Sequence, residues 1–315
     1  MMLNSTMKKT FRAALAIVCA GTLMAGTAAC GSTSSSGGDK VALLVSTLNN
    51  PFFVDLRDGA QAAAKDLGVD LMVSDAQNDS STQQNQAQNA QSQGAKAVII
   101  NPVDSDAASP AVAPLLSSNL PVISVDRSVT GEDVTSHIAS DNVAGGAQAA
   151  DELAKAVGEK GKVIILQGTP GAASTRDRGD GFKKEIKKYS GIEVVAEQTA
   201  NFDRAEALDV TTNLMQSNPD VVGIYAENDE MALGAIQSLG SKAGADVKIF
   251  GFDGTEDGLK AVSNGTMVGT IAQQPKELGK KAVEAAVKAI KGESVEKTES
   301  IEVKTVTKEN VADFQ

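Results

Sequence analysis

From position 39 onward, short runs of β-branched and aliphatic residues alternate with longer stretches whose apolar positions recur at helical spacing. The runs fall at 41–46, 69–74, 97–100, 121–125, 163–166, 192–196, 221–225, 247–250 and 268–272. Runs this short and this rich in Val and Ile predict buried strands, and the intervening stretches of about 12 to 17 residues predict amphipathic helices. The first stretch shows why. Pro51 suits the first helical position, where its missing N–H would have no intrahelical partner. Val54, Leu56, Ala60, Ala63, Ala64 and Leu67 then mark an apolar face, and Asp55, Arg57, Asp58, Gln61 and Lys65 a wet one. Gly68 follows as the stop.

Repeated strand–helix alternation predicts an α/β fold of parallel sheets covered by helices on both faces. About nine strands are too many for a single compact sheet in a chain of this length, so two doubly wound lobes are expected. The pattern shifts near Ser140-Asp141-Asn142, again near Gln273-Gln274-Pro275, and a third time near Ile301. The expected N-terminal lobe is 39–140 plus 274–302, and the C-terminal lobe 141–273 plus 303–315, joined by a three-strand hinge.

The segment before position 39 follows different rules. Lys8, Lys9 and Arg12 precede an apolar run at 13–26, which is too short to span a bilayer as a stable anchor. It ends in Thr27-Ala28-Ala29-Cys30-Gly31, which resembles a bacterial lipoprotein cleavage box, with Thr27 where that pattern prefers Leu or Val. The resemblance implies a signal peptide over 1–29, acylation of Cys30, and an extracytoplasmic protein held to the cell membrane by lipid. Residues 30–38 are a Ser/Gly tether with nothing to bury. The chain has two cysteines, and Cys19 lies inside the leader. The body therefore has no thiol for catalysis, zinc binding or a disulfide.

The formal net charge is −11, a surface that repels phosphate polymers, so nucleic acid is not an expected partner. Aromatic residues are only 3% of the chain, which makes the adjacent pair Phe52-Phe53 informative.

In open α/β sheets, ligands bind beyond the carboxyl ends of the strands. Just past the expected strands stand Asn49-Asn50 and Phe52-Phe53, Asn101, Asp126-Arg127, Tyr225 to Asn228, Asp253 and Gln273. Asp accepts, Arg donates in a plane, and Asn and Gln do both. Together with a phenylalanine face, such a set suits a small polyol with vicinal hydroxyls and apolar C–H surfaces. Any one of these residues alone reads more readily as a turn or a helix cap, and it is the whole set, placed on one side of two sheets, that points to a ligand.

The stretch Leu44-Val45-Ser46-Thr47-Leu48-Asn49-Asn50-Pro51-Phe52-Phe53 resembles the opening of D-ribose-binding proteins of ABC sugar importers. Further blocks resemble that family in order: Ile100 to Asp106, Val125-Asp126-Arg127, Ser136 to Asn142, Arg176-Asp177-Arg178-Gly179, Asn201-Phe202-Asp203-Arg204, Asn228 to Ala235, Gly251 to Thr255 and Thr270 to Gln273. The resemblance implies a type I periplasmic-binding fold with a sugar held between the lobes. Its implied first-lobe contacts are Asn50, Phe52, Phe53, Asn101, Asp126 and Arg127. Its implied second-lobe contacts are Arg178, Phe202, Asn228 and Asp253, with Gln273 at the crossover. The implied partners are a monosaccharide, D-ribose first, and the permease of an ABC importer, with the protein a monomer. The chain contains no Trp, the residue that hexose-binding relatives stack on their sugar, which favours a pentose. Allose, another pentose or a furanose-like signal molecule remain alternatives, as does service to a sensor or chemotaxis protein.

Other classes find less support. The only histidine, His137, sits in a strand-like segment and reads as structural. Gly168-Thr169-Pro170-Gly171 lacks the Gly-Lys-Ser/Thr of a phosphate loop and reads as a strand-to-helix turn. Glu227 and Asp229 imitate a glycosidase pair, but Asp229 is expected to cap a helix beginning at Glu230. No calcium loop or other metal motif is present, no cofactor is expected, and no enzyme motif is found. A sugar-responsive repressor would share the fold, but an export leader occupies the place of its DNA-binding headpiece.

Overall fold

A computed structural model describes residues 38–315; the leader, Cys30 and the tether up to residue 37 lie outside the described residues. Strands β1 (Lys40–Val45), β2 (Asp70–Asp75), β3 (Ala97–Ile100), β4 (Val122–Val125) and β5 (Ser136–Ser140) alternate with helices α1 (Pro51–Leu67), α2 (Ser80–Ser92) and α3 (Ser109–Ser117). After α4 (Asn142–Ala156) come β6 (Lys160–Gln167), α5 (Ala173–Ile186), β7 (Gly191–Thr199), α6 (Arg204–Ser217), β8 (Val221–Ala226) and α7 (Asp229–Leu239). The chain closes with β9 (Lys248–Asp253), α8 (Glu256–Asn264), β10 (Gly269–Ala272), α9 (Pro275–Ile290), β11 (Thr298–Ile301) and β12 (Lys304–Thr307).

These strands form two six-stranded sheets, ordered β11-β5-β4-β3-β1-β2 and β12-β10-β9-β8-β6-β7. Every pairing is parallel except that of β12 with β10. Each sheet thus takes five consecutive strands and one late strand. The chain passes between the sheets three times: from β5 into α4, from β10 into α9, and from β11 into β12. The two α/β lobes expected from the alternation are present.

The cores explain the strand pattern. In β1, Val41, Leu43 and Val45 enter the layer under α1 and α9, while Ala42 and Leu44 enter the layer under α2 and α3. The second sheet repeats this, with Ile224 and Ala226 of β8 on one face and Tyr225 on the other. Strands buried on both faces read as continuous apolar runs, which is why the central strands were visible in the sequence. The strands absent from the nine-run reading are β5, β11 and β12, which are short and carry Ser, His, Thr, Glu and Lys.

The first helix begins and ends where its punctuation predicts. Asn50 accepts from the Phe52 N–H at 2.9 Å, Pro51 takes the first position, and Gly68 closes the helix at φ 70°. Leu67 departs from the expectation: spacing placed it on the apolar face, but at the last turn it is exposed. Helix α2 is polar nearly all round and buries only Gln83, Ala87 and Ala90.

Candidate functional site

The carboxyl ends of β1, β3 and β4 face those of β8 and β9 across a closed cleft. Within it lies a narrow cavity lined by Asn50, Phe53, Asp126 and Arg127 from the first lobe and by Ser174, Arg178, Phe202, Asn228 and Asp253 from the second. Eight of the eleven residues read from the sequence therefore meet at one cavity.

The two asparagines are helix caps and cavity walls at once. Asn50 Oδ1 holds the Phe52 N–H at the start of α1. Asn228 Oδ1 accepts from the Met231 N–H at 2.9 Å at the start of α7, and its Nδ2 donates to the Phe202 carbonyl at 3.4 Å. Capping fixes each side chain and leaves its amide nitrogen beside the cavity.

The two arginines are anchored on backbone carbonyls. Arg127 Nη1 donates to Pro102 O at 3.0 Å and Val103 O at 3.1 Å. Its guanidinium lies between two rings, 5.4 Å from the centroid of Phe53 and 5.5 Å from that of Phe202, so one contact comes from each lobe. Arg178 Nε donates to Asn142 Oδ1 at 2.8 Å and Nη1 to Glu227 O at 2.7 Å, with the guanidinium 3.8 Å from the Phe252 centroid. Fixed in this way, the guanidinium planes lose little freedom on meeting a ligand.

The carboxylates sit at strained backbone. Asp126 and Asp253, each at or just past a strand end, have φ of 64° and 118°; Asn201 and Phe202 have φ of 52° and 59°. Non-glycine residues in this region cost on the order of 1–3 kcal/mol each and persist where the surroundings over-determine them. Asp126 Oδ2 lies 3.7 Å from Arg127 Nε, and Asp253 Oδ1 lies 3.5 Å from Arg178 Nη1, longer than a good hydrogen bond. Asp126 Oδ1 and Arg127 Nε are buried with no protein partner. A buried donor and acceptor left free beside a cavity are groups for a ligand to satisfy.

Burial dominates the titration of this site. It lifts the Asp126 carboxyl above the ordinary range, opposed by Arg127 and Arg178. It pushes Asp253 up to about 8 against the attraction of Arg178. Glu227, behind the cavity, is also pushed up to about 8, opposed by the Gly168 N–H that its Oε2 accepts at 2.7 Å.

Three residues read as contacts lie beside the cavity lining. Asn101 is fully buried: its Oδ1 accepts from the Ser46 N–H at 3.1 Å and its Nδ2 donates to Asp126 Oδ2 at 3.0 Å, so it orients Asp126. Gln273 Nε2 donates to Asp253 Oδ1 at 2.7 Å and orients that carboxylate. Phe52 meets Phe53 edge-on at 5.1 Å and lines the adjoining hinge-side cavity with Gln273 and Asp253.

The sequence reading missed Ser174 and Phe252. Ser174 precedes Arg178 by one helical turn, so helical spacing from Arg178 was the signal that would have found it. Phe252, the platform of Arg178, looks in sequence like any apolar strand residue. Asp229 is a correction. Asn228 is the cap, and Asp229 is instead a buried anchor that accepts from Thr255 N–H at 2.8 Å and Thr270 Oγ1 at 2.7 Å. His137 Nδ1 bonds Ser124 Oγ at 2.8 Å. Among the described residues, no group of three or more His, Cys, Asp or Glu side chains is placed to hold a metal.

Residues 41–294 match the family model of the periplasmic binding protein domain. The ribose import binding protein RbsB of Escherichia coli is 47% identical over 278 residues, covering 88% of this chain and 94% of that protein. A solute binding protein of an ABC transporter from Bacillus halodurans, solved with bound myo-inositol, superposes with a TM-score of 0.84 at 34% identity, covering 90% of this chain and 99% of the other. A periplasmic solute binding protein from Actinobacillus succinogenes, solved with bound D-allose, gives 0.82 at 33% identity, covering 87% and 99%.

Proposed function

This chain belongs to the periplasmic binding protein family, and we propose that it captures a monosaccharide, D-ribose first, in the interlobe cleft and delivers it to the permease of an ABC importer. The observation that carries this reading is the interlobe cavity to which each lobe contributes an aspartate, an arginine, an asparagine and a phenylalanine. Carboxylates accept from hydroxyls, guanidinium groups donate to them, and the Phe53 and Phe202 rings cover C–H faces. The identity to a ribose import binding protein supports ribose among the sugars that fit this chemistry.

The division of contacts between lobes supplies the mechanism. A sugar completes its hydrogen bonds only when the lobes close, so binding shifts a hinge equilibrium toward closure. Closure removes water, strengthens each bond and makes a missing hydroxyl costly. In this reading Asp126, Arg127, Arg178, Asn228, Asn50 and Asp253 bind hydroxyls, while Asn101 and Gln273 hold the two aspartates in register. The site binds rather than catalyses, and the closed pair of lobes is the signal the permease reads. The lipid anchor at Cys30 keeps the protein on the outer face of the cell membrane, near that permease.

Calorimetry on the purified body tests the site. Asp253→Ala or Arg127→Ala weakens ribose binding on the order of 100-fold or more, because each leaves a buried partner unpaired, while unfolding stays cooperative. Unchanged affinity in both variants sinks the assignment. A thermal-shift screen of monosaccharides and myo-inositol tests the ligand: a large shift with allose or myo-inositol and none with ribose replaces ribose as the ligand and leaves capture in the cleft in place, a comparison motivated by the structural relatives solved with those two molecules.

A further inference from the structure

Helix α5 carries two cavity residues, Ser174 and Arg178, yet it begins without a cap of its own. The residue before it is Ala172, and no side chain of its own segment meets its first N–H groups. The first of them, at Ala173, donates instead to Ser105 Oγ at 3.1 Å, and Ser105 belongs to the other lobe. The Ser105 N–H donates to Gly171 O at 3.0 Å, also across the cleft, and the Ser105 carbonyl accepts from Thr130 N–H at 2.9 Å within its own lobe. Ser105 is completely buried.

We propose that Ser105 is a latch that caps α5 from the opposite lobe when the cleft closes, and so sets sugar affinity without touching the sugar. This inference rests on the sugar-capture reading above.

Two features make the latch stiff. The loop that carries it, 101–106, is held at its start by buried Gln83, whose Nε2 donates to Asn101 O at 2.8 Å and whose Oε1 accepts from Val103 N–H at 3.0 Å. The same loop supplies the carbonyls that anchor Arg127, so the sugar-binding arginine and the latch share one support. On the facing side, Gly171 has φ of 86°, and a β-carbon there would overlap the Asp104 carboxylate. Glycine is what lets the lobes approach this closely. The outer pair Arg176 and Asp106, 3.2 Å apart, is exposed at both ends and adds little.

In an open cleft, water satisfies Ser105 Oγ and the Ala173 N–H, so the latch exchanges hydrogen bonds with water and its net contribution is modest. Ser105→Ala is therefore expected to raise the dissociation constant about 3- to 10-fold. Because the latch does not sense the ligand, every sugar the protein binds weakens by the same factor, through faster release. The melting temperature of the sugar-free protein stays unchanged.

The test is calorimetry and stopped-flow release with ribose, allose and myo-inositol on the wild type and Ser105→Ala. A uniform rise supports the latch; unchanged affinity, or a loss confined to one ligand, overturns it. Gly171→Ala probes the same contact from the other lobe if Ser105→Ala does not fold, and is expected to weaken all bound sugars uniformly. If the wild type binds none of these ligands, the sugar-capture reading fails and the latch with it. If it binds and the variants match it, the latch alone fails.

Discussion

Three acidic side chains behind or within the cleft titrate far from their usual range because desolvation outweighs their partners. Asp253 and Glu227 are pushed up to about 8 and Asp229 to about 6. Glu227 faces the Gly168 N–H, Arg178, Lys183 and Glu197, and no cation forms a hydrogen bond to its carboxylate. Its folded-state pKa lies above that of the unfolded chain, so the folded state holds the proton more tightly. The contribution to stability is complete below the unfolded value near 4.5 and is lost as pH rises through about 8. Glu227→Gln keeps an acceptor for Gly168 and removes the titration. Its stability advantage over the wild type is expected to grow between pH 5 and pH 8, by on the order of a few kcal/mol, in urea unfolding of the sugar-free protein. A constant difference across that range would show that Glu227 does not titrate there. The residue scale also shows where sequence logic divides. Asn50 and Asn228 looked like either caps or contacts, and both are placed to be both, since a cap needs only the side-chain oxygen. Asp229 could not be told from a cap because its real partners, Thr255 and Thr270, come from segments far along the chain.

Helices in both lobes meet through paired glycines. A β-carbon at Gly59 of α1 would overlap the Lys276 carbonyl of α9, and one at Gly279 of α9 would overlap the Leu56 carbonyl of α1. The second lobe repeats the device: Gly146 of α4 sits on the Arg178 carbonyl of α5, and Gly181 of α5 on the Val143 carbonyl of α4. Backbones this close leave no room for a methyl group. Gly279→Ala is expected to lower unfolding free energy by about 1–3 kcal/mol, read as a lower urea midpoint at unchanged slope. The amphipathic pattern that marks α1 and α9 is visible in the sequence, but their partnership is not. More than 200 residues separate them, and α9 returns to α1 only because the chain crosses between sheets after β10.

Sugar capture in the proposed mechanism is a property of the pair of lobes. Each contributes half of the hydrogen-bonding set, and Arg127 of one reaches the Phe202 ring of the other. A ligand that binds only this closed form stabilises the whole chain by mass action, about 2.7 kcal/mol at 100 times its dissociation constant. The melting temperature is therefore expected to climb steadily with ribose concentration, and Asp253→Ala to abolish the climb without lowering the sugar-free melting temperature by more than a few degrees. A ribose-independent melting temperature in the wild type would contradict ligand-driven closure.

Two parallel sheets, and polar residues at the ends of their strands, follow from the sequence alone, because burial on both faces writes a continuous apolar run and strand–helix alternation forces parallel pairing. The two ends of α1 are equally local, since Asn50 and Pro51 at its start and Gly68 at its stop act within a turn of their own position. What only the tertiary structure decides is which of those polar residues face a ligand and which hold the ones that do. Asn101 and Gln273 have the same chemistry as the lining residues, and only the packing around them aims their amides at Asp126 and Asp253. The strained φ values at those two aspartates, the Phe252 platform and the Ser105 cap on α5 all depend on segments brought together from distant parts of the chain. Strand ends follow from local patterning, whereas a cleft is set by how two lobes meet, and that depends on side chains from both at once.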